Sequence, residues 1–201
     1  MNKGRLEAFS DGVIAILITI MVLELHIPQG TSWDALREEV PLLLAYALSF
    51  IYLGIYWNNH HHMLAAVRRV SGVTLWANLH LLFWLSLIPV TTAWMSENGF
   101  PPIPTAAYGI TLLAAAIAYY LLQTVLLRLD GEPYVLRTAI GTDLKGKLSP
   151  FLYCLGIGLS FVNQWAGIAA YVVAALIWLV PDRRVERTLT AAQSDPDERP
   201  P

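Results

Sequence analysis

Charge is what this chain lacks most. Asp, Glu, Lys and Arg make up only 14% of its 201 residues, against roughly 25% in a soluble domain. With mean hydropathy +0.51 and 56% hydrophobic residues, a water-soluble globule is excluded. Thirteen Lys and Arg stand against fifteen Asp and Glu, a formal net charge of −2. The basic footprint of a nucleic-acid binder is therefore missing, and no nucleic-acid partner is expected. A single cysteine, Cys154, excludes an intrachain disulfide and any multi-cysteine metal site. Hydrolase elbow, phosphate loop and helical His-Glu-x-x-His motifs are all absent, so nothing points to an enzyme or to a cofactor. A Thr-Val-Gly-Tyr-Gly loop is absent too, which rules out a potassium pore with a carbonyl filter.

What the chain does have is long apolar runs. They predict an all-α integral membrane protein with six transmembrane helices, at about 8–27, 41–64, 74–96, 105–128, 149–163 and 165–181. Each of the first four is long enough for the ~20 residues a bilayer crossing needs. The last two are short and nearly fused, separated by Asn163 and Gln164. Together they are too long for one span, so a tight helical hairpin is expected. The first run exceeds the apolar length of a cleavable signal and lacks a small-x-small cleavage site, so it reads as a membrane helix. Residues 182–201 are polar and Pro-rich, as in a disordered cytoplasmic tail.

Loop charges orient these spans. Lys3, Arg5, Arg68, Arg69, Arg128, Arg137, Lys145, Lys147, Arg183, Arg184, Arg187 and Arg199 all fall on one side, and Arg37 alone on the other. Cationic side chains in short loops collect in the cytoplasm, so both termini are expected there, in the cell membrane. Trp33, Trp57, Trp76, Trp94, Trp165 and Trp178 fall near expected helix ends, where indoles favour the interface. Pro28, Pro41, Pro150 and Pro181 read as helix boundaries, while Pro89 falls inside the third run and predicts a kink.

Polar residues inside the runs carry the functional signal. Asp11 opens the first helix, where it serves either as an N-terminal cap or in a polar network within the bundle. At about 100° per residue, Phe9, Ile16, Thr19, Ile20 and Leu23 share one stripe, and Asp11 lies about 140° from Ile16 and should point into its own bundle. From periodicity alone such a stripe is ordinarily a packing seam whose hydroxyl bonds back to the i−4 carbonyl; a pore lining is the rarer reading. His60, His61 and His62 follow Tyr56, Trp57, Asn58 and Asn59, and Asn78 and His80 open the next helix. Adjacent histidines splay apart on a helix, which favours hydrogen bonds at the cytoplasmic boundary, with Asp11 as one candidate partner, over metal ligation. Glu24 and His26, at the far end of the first helix, form either a cation-attracting mouth or a wet interface. Gly156-x-Gly158 is a candidate small-residue packing pattern.

The string Arg5…Phe9-Ser10-Asp11-Gly12-Val13, followed by Ala15-Ile16, Thr19 and Val22-Leu23, resembles the signature of the transmembrane protein 175 family. The resemblance implies a homotetramer in the lipid bilayer whose first helices line a central pore for potassium and other monovalent cations. It places the pore constriction on Ile16, with further apolar rings at Ile20 and Leu23, and an ion-preference layer on Thr19. Ile20 departs from the Leu frequent in relatives, which bears on the width of the constriction. Arg5, Phe9, Ser10 and Asp11 would hold helices together with Trp57, His61, Asn78 and His80. The implied function is a potassium-permeable cation channel with modest preference over sodium. Two competing readings are a small proton-coupled secondary transporter using Asp11 and the histidines, and a non-conducting scaffold.

Overall fold

In the computed structural model the described residues are 2–67, 69–129 and 144–179. Expectations for Arg68, Arg137, Pro181, Arg183, Arg184, Arg187, Arg199 and the 182–201 tail lie outside them, as do those for the side chains of Lys145 and Lys147. Among the described residues the secondary structure is helical: α1 (Lys3–Leu23), α2 (Trp33–Ala65), α3 (Gly72–Glu97), α4 (Pro102–Leu129), α5 (Leu144–Ser160) and α6 (Gln164–Leu179). The first four are long and apolar enough to cross a membrane. An all-α, multi-pass membrane protein follows from them, because only helices or closed barrels satisfy their backbone groups inside lipid.

Local chemistry sets the helix ends. The Asn2 side chain accepts the Gly4 amide at the start of α1, and Ser32 accepts the Ala35 amide at the start of α2. Ser71 and Thr74 form a capping box that opens α3. Between α5 and α6, the Asn163 side chain accepts from the amides of Trp165 and Ala166, so the polar break in the apolar run works as a cap.

Two expected boundaries are corrected. Pro41 lies inside α2 and Pro150 inside α5. For α2 the reason is the Ser32 cap with Asp34 in the first turn, which starts the helix eight residues before the proline in the charged stretch assigned to a loop. At 1.5 Å per residue its 33 residues reach about 50 Å, well beyond a ~30 Å hydrocarbon core. Pro89 is buried within a continuous α3.

The core sits between α2, α3, α4 and α6 and is polar at its centre. Ser49 of α2 bonds Thr92 of α3 at 2.7 Å and Tyr108 of α4 at 3.0 Å. Tyr52 donates to the backbone carbonyl of Tyr171 in α6 at 2.6 Å. Around the Tyr171 ring, glycines let the helices close up. A Cβ on Gly156 would stand 2.9 Å from Cδ1 of Tyr171, whereas one on Gly158 would meet nothing within 4 Å. The Gly156-x-Gly158 pattern thus packs through its first member only. Gly156→Ala is expected to cost about 1–3 kcal/mol by overpacking, lowering the melting temperature in detergent, with Gly158→Ala unchanged as the internal comparison.

Candidate pore-lining face and polar anchor

Helix α1 has two unlike faces. Leu6, Ser10, Ile14, Leu17 and Met21 are buried against α2 and α3. Phe9, Ile16, Thr19, Ile20 and Leu23 are exposed, Ile16 at 57% while Ile14, two residues away, is at 0%. The stripe derived from periodicity is therefore no packing seam within the chain. Thr19 does bond back, its hydroxyl donating to the carbonyls of Ala15 and Ile16, both at 3.0 Å. With the proton directed at the helix backbone, the oxygen lone pairs face outward. The back-bond and an oxygen contact to a cation are thus compatible.

The buried face carries a polar anchor. Asn78 of α3 donates through Nδ2 to Ser10 Oγ at 2.9 Å, and Ser10 donates to the Leu6 carbonyl at 2.9 Å. His60 Nε2 lies 2.7 Å from Asn78 Oδ1. An amide oxygen only accepts, so His60 donates. Ser10, His60 and Asn78 are at most 1% exposed, and together they join α1, α2 and α3 at one level. A second tie runs beside it, in which the Trp57 indole N–H donates to Asp11 at 3.0 Å. Lys3 donates to the carbonyl of Ala65 near the end of α2 at 3.3 Å.

The other expected site residues are placed as follows. His61 stacks on Trp57 with ring centroids 6.1 Å apart. His80 does not reach Asp11 within the chain; its Nε2 accepts from Trp84 Nε1 at 2.9 Å, one turn along α3. Arg5 is exposed. Beyond the far end of α1, His26 lies 4.0 Å from Glu97, both side chains exposed. Groups of three or more candidate metal ligands are absent among the described residues. Sequence reasoning passed over His60 in favour of His61. The signal was present in the buried positions of α2, where Ser49, Tyr52, Tyr56, His60 and Met63 recur at helical spacing and put His60 inward.

The geometry defines a multi-pass membrane protein whose first helix is held on one face and presents an apolar stripe with one hydroxyl on the other. The family model described as endosomal/lysosomal potassium channel TMEM175 matches residues 5–89. A potassium channel of Chryseobacterium sp. (strain P1-3) is 54% identical over 94% of this chain and 98% of its own length. One from Streptomyces collinus is 34% identical over 89% and 92%. A crystal structure of a lysosomal potassium-selective channel TMEM175 homolog from Chamaesiphon minutus superposes with a TM-score of 0.73 at 29% identity, covering 89% of this chain and 96% of that one. The chain belongs to the TMEM175 family of ion channels, and the expectations of a channel and not an enzyme rest on that membership.

Proposed function

We propose that the chain forms a potassium-permeable cation channel, a homotetramer in which each copy crosses the membrane six times with both termini in the cytoplasm and α1 lines a central pore. The observation that carries this reading is the exposure of Phe9, Ile16, Ile20 and Leu23 on the side of α1 opposite its polar anchor. Family membership and the one-sided distribution of basic loops agree with it. No cofactor is called for beyond the permeant ion.

Four Ile16 side chains around an axis offer nothing to replace an ion's hydration shell, so a narrow ring there dewets and blocks. Ile20 and Leu23 continue the apolar lining outward, and opening widens or rotates the rings. Four Thr19 hydroxyls, one turn above Ile16, contribute oxygen contacts to a partly hydrated potassium ion. Neutral hydroxyls make a weak field, hence a modest preference over sodium. Asp11 and the histidines make a poor proton relay, because among the described residues Asp11 bonds the Trp57 indole while His80 bonds Trp84 on its own helix.

Planar-bilayer recording of the purified protein under potassium and sodium gradients tests the reading. Single-channel steps that reverse toward the potassium equilibrium potential are expected. Saturable flux coupled to a proton gradient would instead mean a transporter, and no current at all a scaffold. Thr19→Val, which keeps the shape and removes the oxygen, should move the potassium-to-sodium permeability ratio toward one while conduction persists. An unchanged ratio would remove Thr19 from ion preference.

A further inference from the structure

Rings with cyclic symmetry are closed by heterologous contacts, in which one face of a subunit meets a different face of the next. The α2–α3 pair offers two such faces, matched in depth. The His60–Asn78 bond of 2.7 Å fixes the register between the two helices. Asn58 lies two residues from His60 along α2, and His80 two residues from Asn78 along α3. The helices run antiparallel, so both are displaced about 3 Å further into the membrane. Two residues also turn each helix by about 200°. Since His60 and Asn78 face one another, Asn58 and His80 face away from one another, at one level and on opposite flanks of the chain.

Both side chains are exposed, and each has an open hydrogen-bonding group. His80 Nε2 accepts the Trp84 indole N–H, so the ring proton rests on Nδ1, a donor without a partner among the described residues. The Asn58 amide likewise has no partner among the described residues. Asn and His side chains are among those that bond between membrane helices. The exposed face of α4, by comparison, is apolar, with Ile103, Ile110 and Ile117 along it. One turn from Asn58 on the same face is Gly54, where a Cβ would meet nothing within 4 Å of its own chain. A glycine there costs helix stability for no internal gain, and it leaves room for a neighbour.

Resting on the tetramer reading, we propose that Asn58 is the acceptor for His80 of the partner subunit, the Nδ1–H donating to the Asn58 Oδ1, and that this bond is repeated at each of the four subunit contacts. The α2 flank bearing Gly54 and Asn58 then meets the α3 flank bearing His80, and the contact sets the spacing of the α1 helices around the axis.

A crosslinking experiment tests it in the full chain, with the lone cysteine removed by Cys154→Ser. Asn58→Cys and His80→Cys are introduced singly and together, and native membranes are treated with a short bifunctional thiol reagent. The double variant should give a ladder of dimer, trimer and tetramer, and neither single variant any product. A link confined to the monomer band, or a dimer from either single variant, overturns the contact. The oligomeric state of the untreated wild type is measured in parallel by native mass spectrometry. A wild-type tetramer with no ladder from the double variant sinks this contact and spares the tetramer, whereas a wild type that is not a tetramer sinks both. As a second readout, Asn58→Ala and His80→Ala should each lower the tetramer fraction, and the combined variant should fall no further than the worse single one. Loss of the acceptor for Trp84 enters the His80 single and the double alike and cancels from the comparison. Fully additive losses would overturn the pairing.

Discussion

Replacing Ile16 with Asn should open a leak. In proteoliposomes the cation flux of Ile16→Asn is expected to exceed wild type by about tenfold, which requires lowering the barrier by only about 1.4 kcal/mol. The argument is one of hydration. An ion crossing a ring of four isoleucines must shed water and receives nothing in return, so the cost of dewetting dominates the barrier. An amide in the same place keeps water in the ring and supplies carbonyl oxygens. Ile14→Asn provides the contrast. Ile14 is completely buried against its own bundle, so an amide there lacks a partner and should reduce folded protein without raising flux per folded channel. Flux from Ile16→Asn no greater than wild type, in a channel that still assembles, would place the constriction elsewhere on α1.

How much of this was legible beforehand depended on whether the deciding force acts within one helix or between helices. The stripe on α1 could be read because 100° per residue is fixed by the backbone, and the exposed and buried residues separate as that period requires. The polar anchor was legible as a set of residue types but not as pairs. Asn78 belongs to the expected network with its partner unassigned; the structure pairs it with His60, because which of the three histidines faces inward depends on how α2 rotates against α3. The serine, threonine and tyrosine cluster at Ser49, Thr92 and Tyr108 went unread, since hydroxyls in apolar runs look alike whether they bond their own backbone or another helix. The start of α2 is hidden for the opposite reason: a charged stretch followed by Pro41 resembles a loop, and only the Ser32 cap shows that the helix has already begun. The Gly156-x-Gly158 pattern packs at one glycine only, and spacing cannot tell that Tyr171 presses on Gly156 and not on Gly158.

The anchor makes the largest stability prediction, and the effect should belong to Asn78 more than to Asp11. Single side-chain bonds between membrane helices average only about 0.6 kcal/mol, so losing one bond is a small matter. Asn78→Ala is different because the amide is shared. It donates to Ser10 and accepts from His60, so its removal strands the almost fully buried His60 N–H and leaves the buried Ser10 hydroxyl with only its bond to the Leu6 carbonyl. At about 1–3 kcal/mol for the unsatisfied His60 group and about 1 kcal/mol for the lost Ser10 bond, the loss is about 2–4 kcal/mol, a large share of a typical 5–15 kcal/mol of total stability. For a chain of this size the melting temperature should fall by on the order of 10 °C. Asp11→Ala frees only the Trp57 indole N–H, on a residue that is 44% exposed and able to turn toward interfacial water. It should therefore cost about 1 kcal/mol or less and impair assembly more than conduction. Tryptophan-fluorescence melting of the two variants in the same detergent decides the order. If Asp11→Ala melted well below wild type while Asn78→Ala did not, the carboxylate and the indole would be what fastens α1 to the bundle, and the buried triad would be a passenger. In the expected order, Asn78→Ala loosens the buried polar attachment that sets the rotation of α1. The Asn78→Ala channels that do assemble should then show altered open probability with an unchanged potassium-to-sodium ratio, because Ile16 moves as a ring while the Thr19 oxygens keep their chemistry.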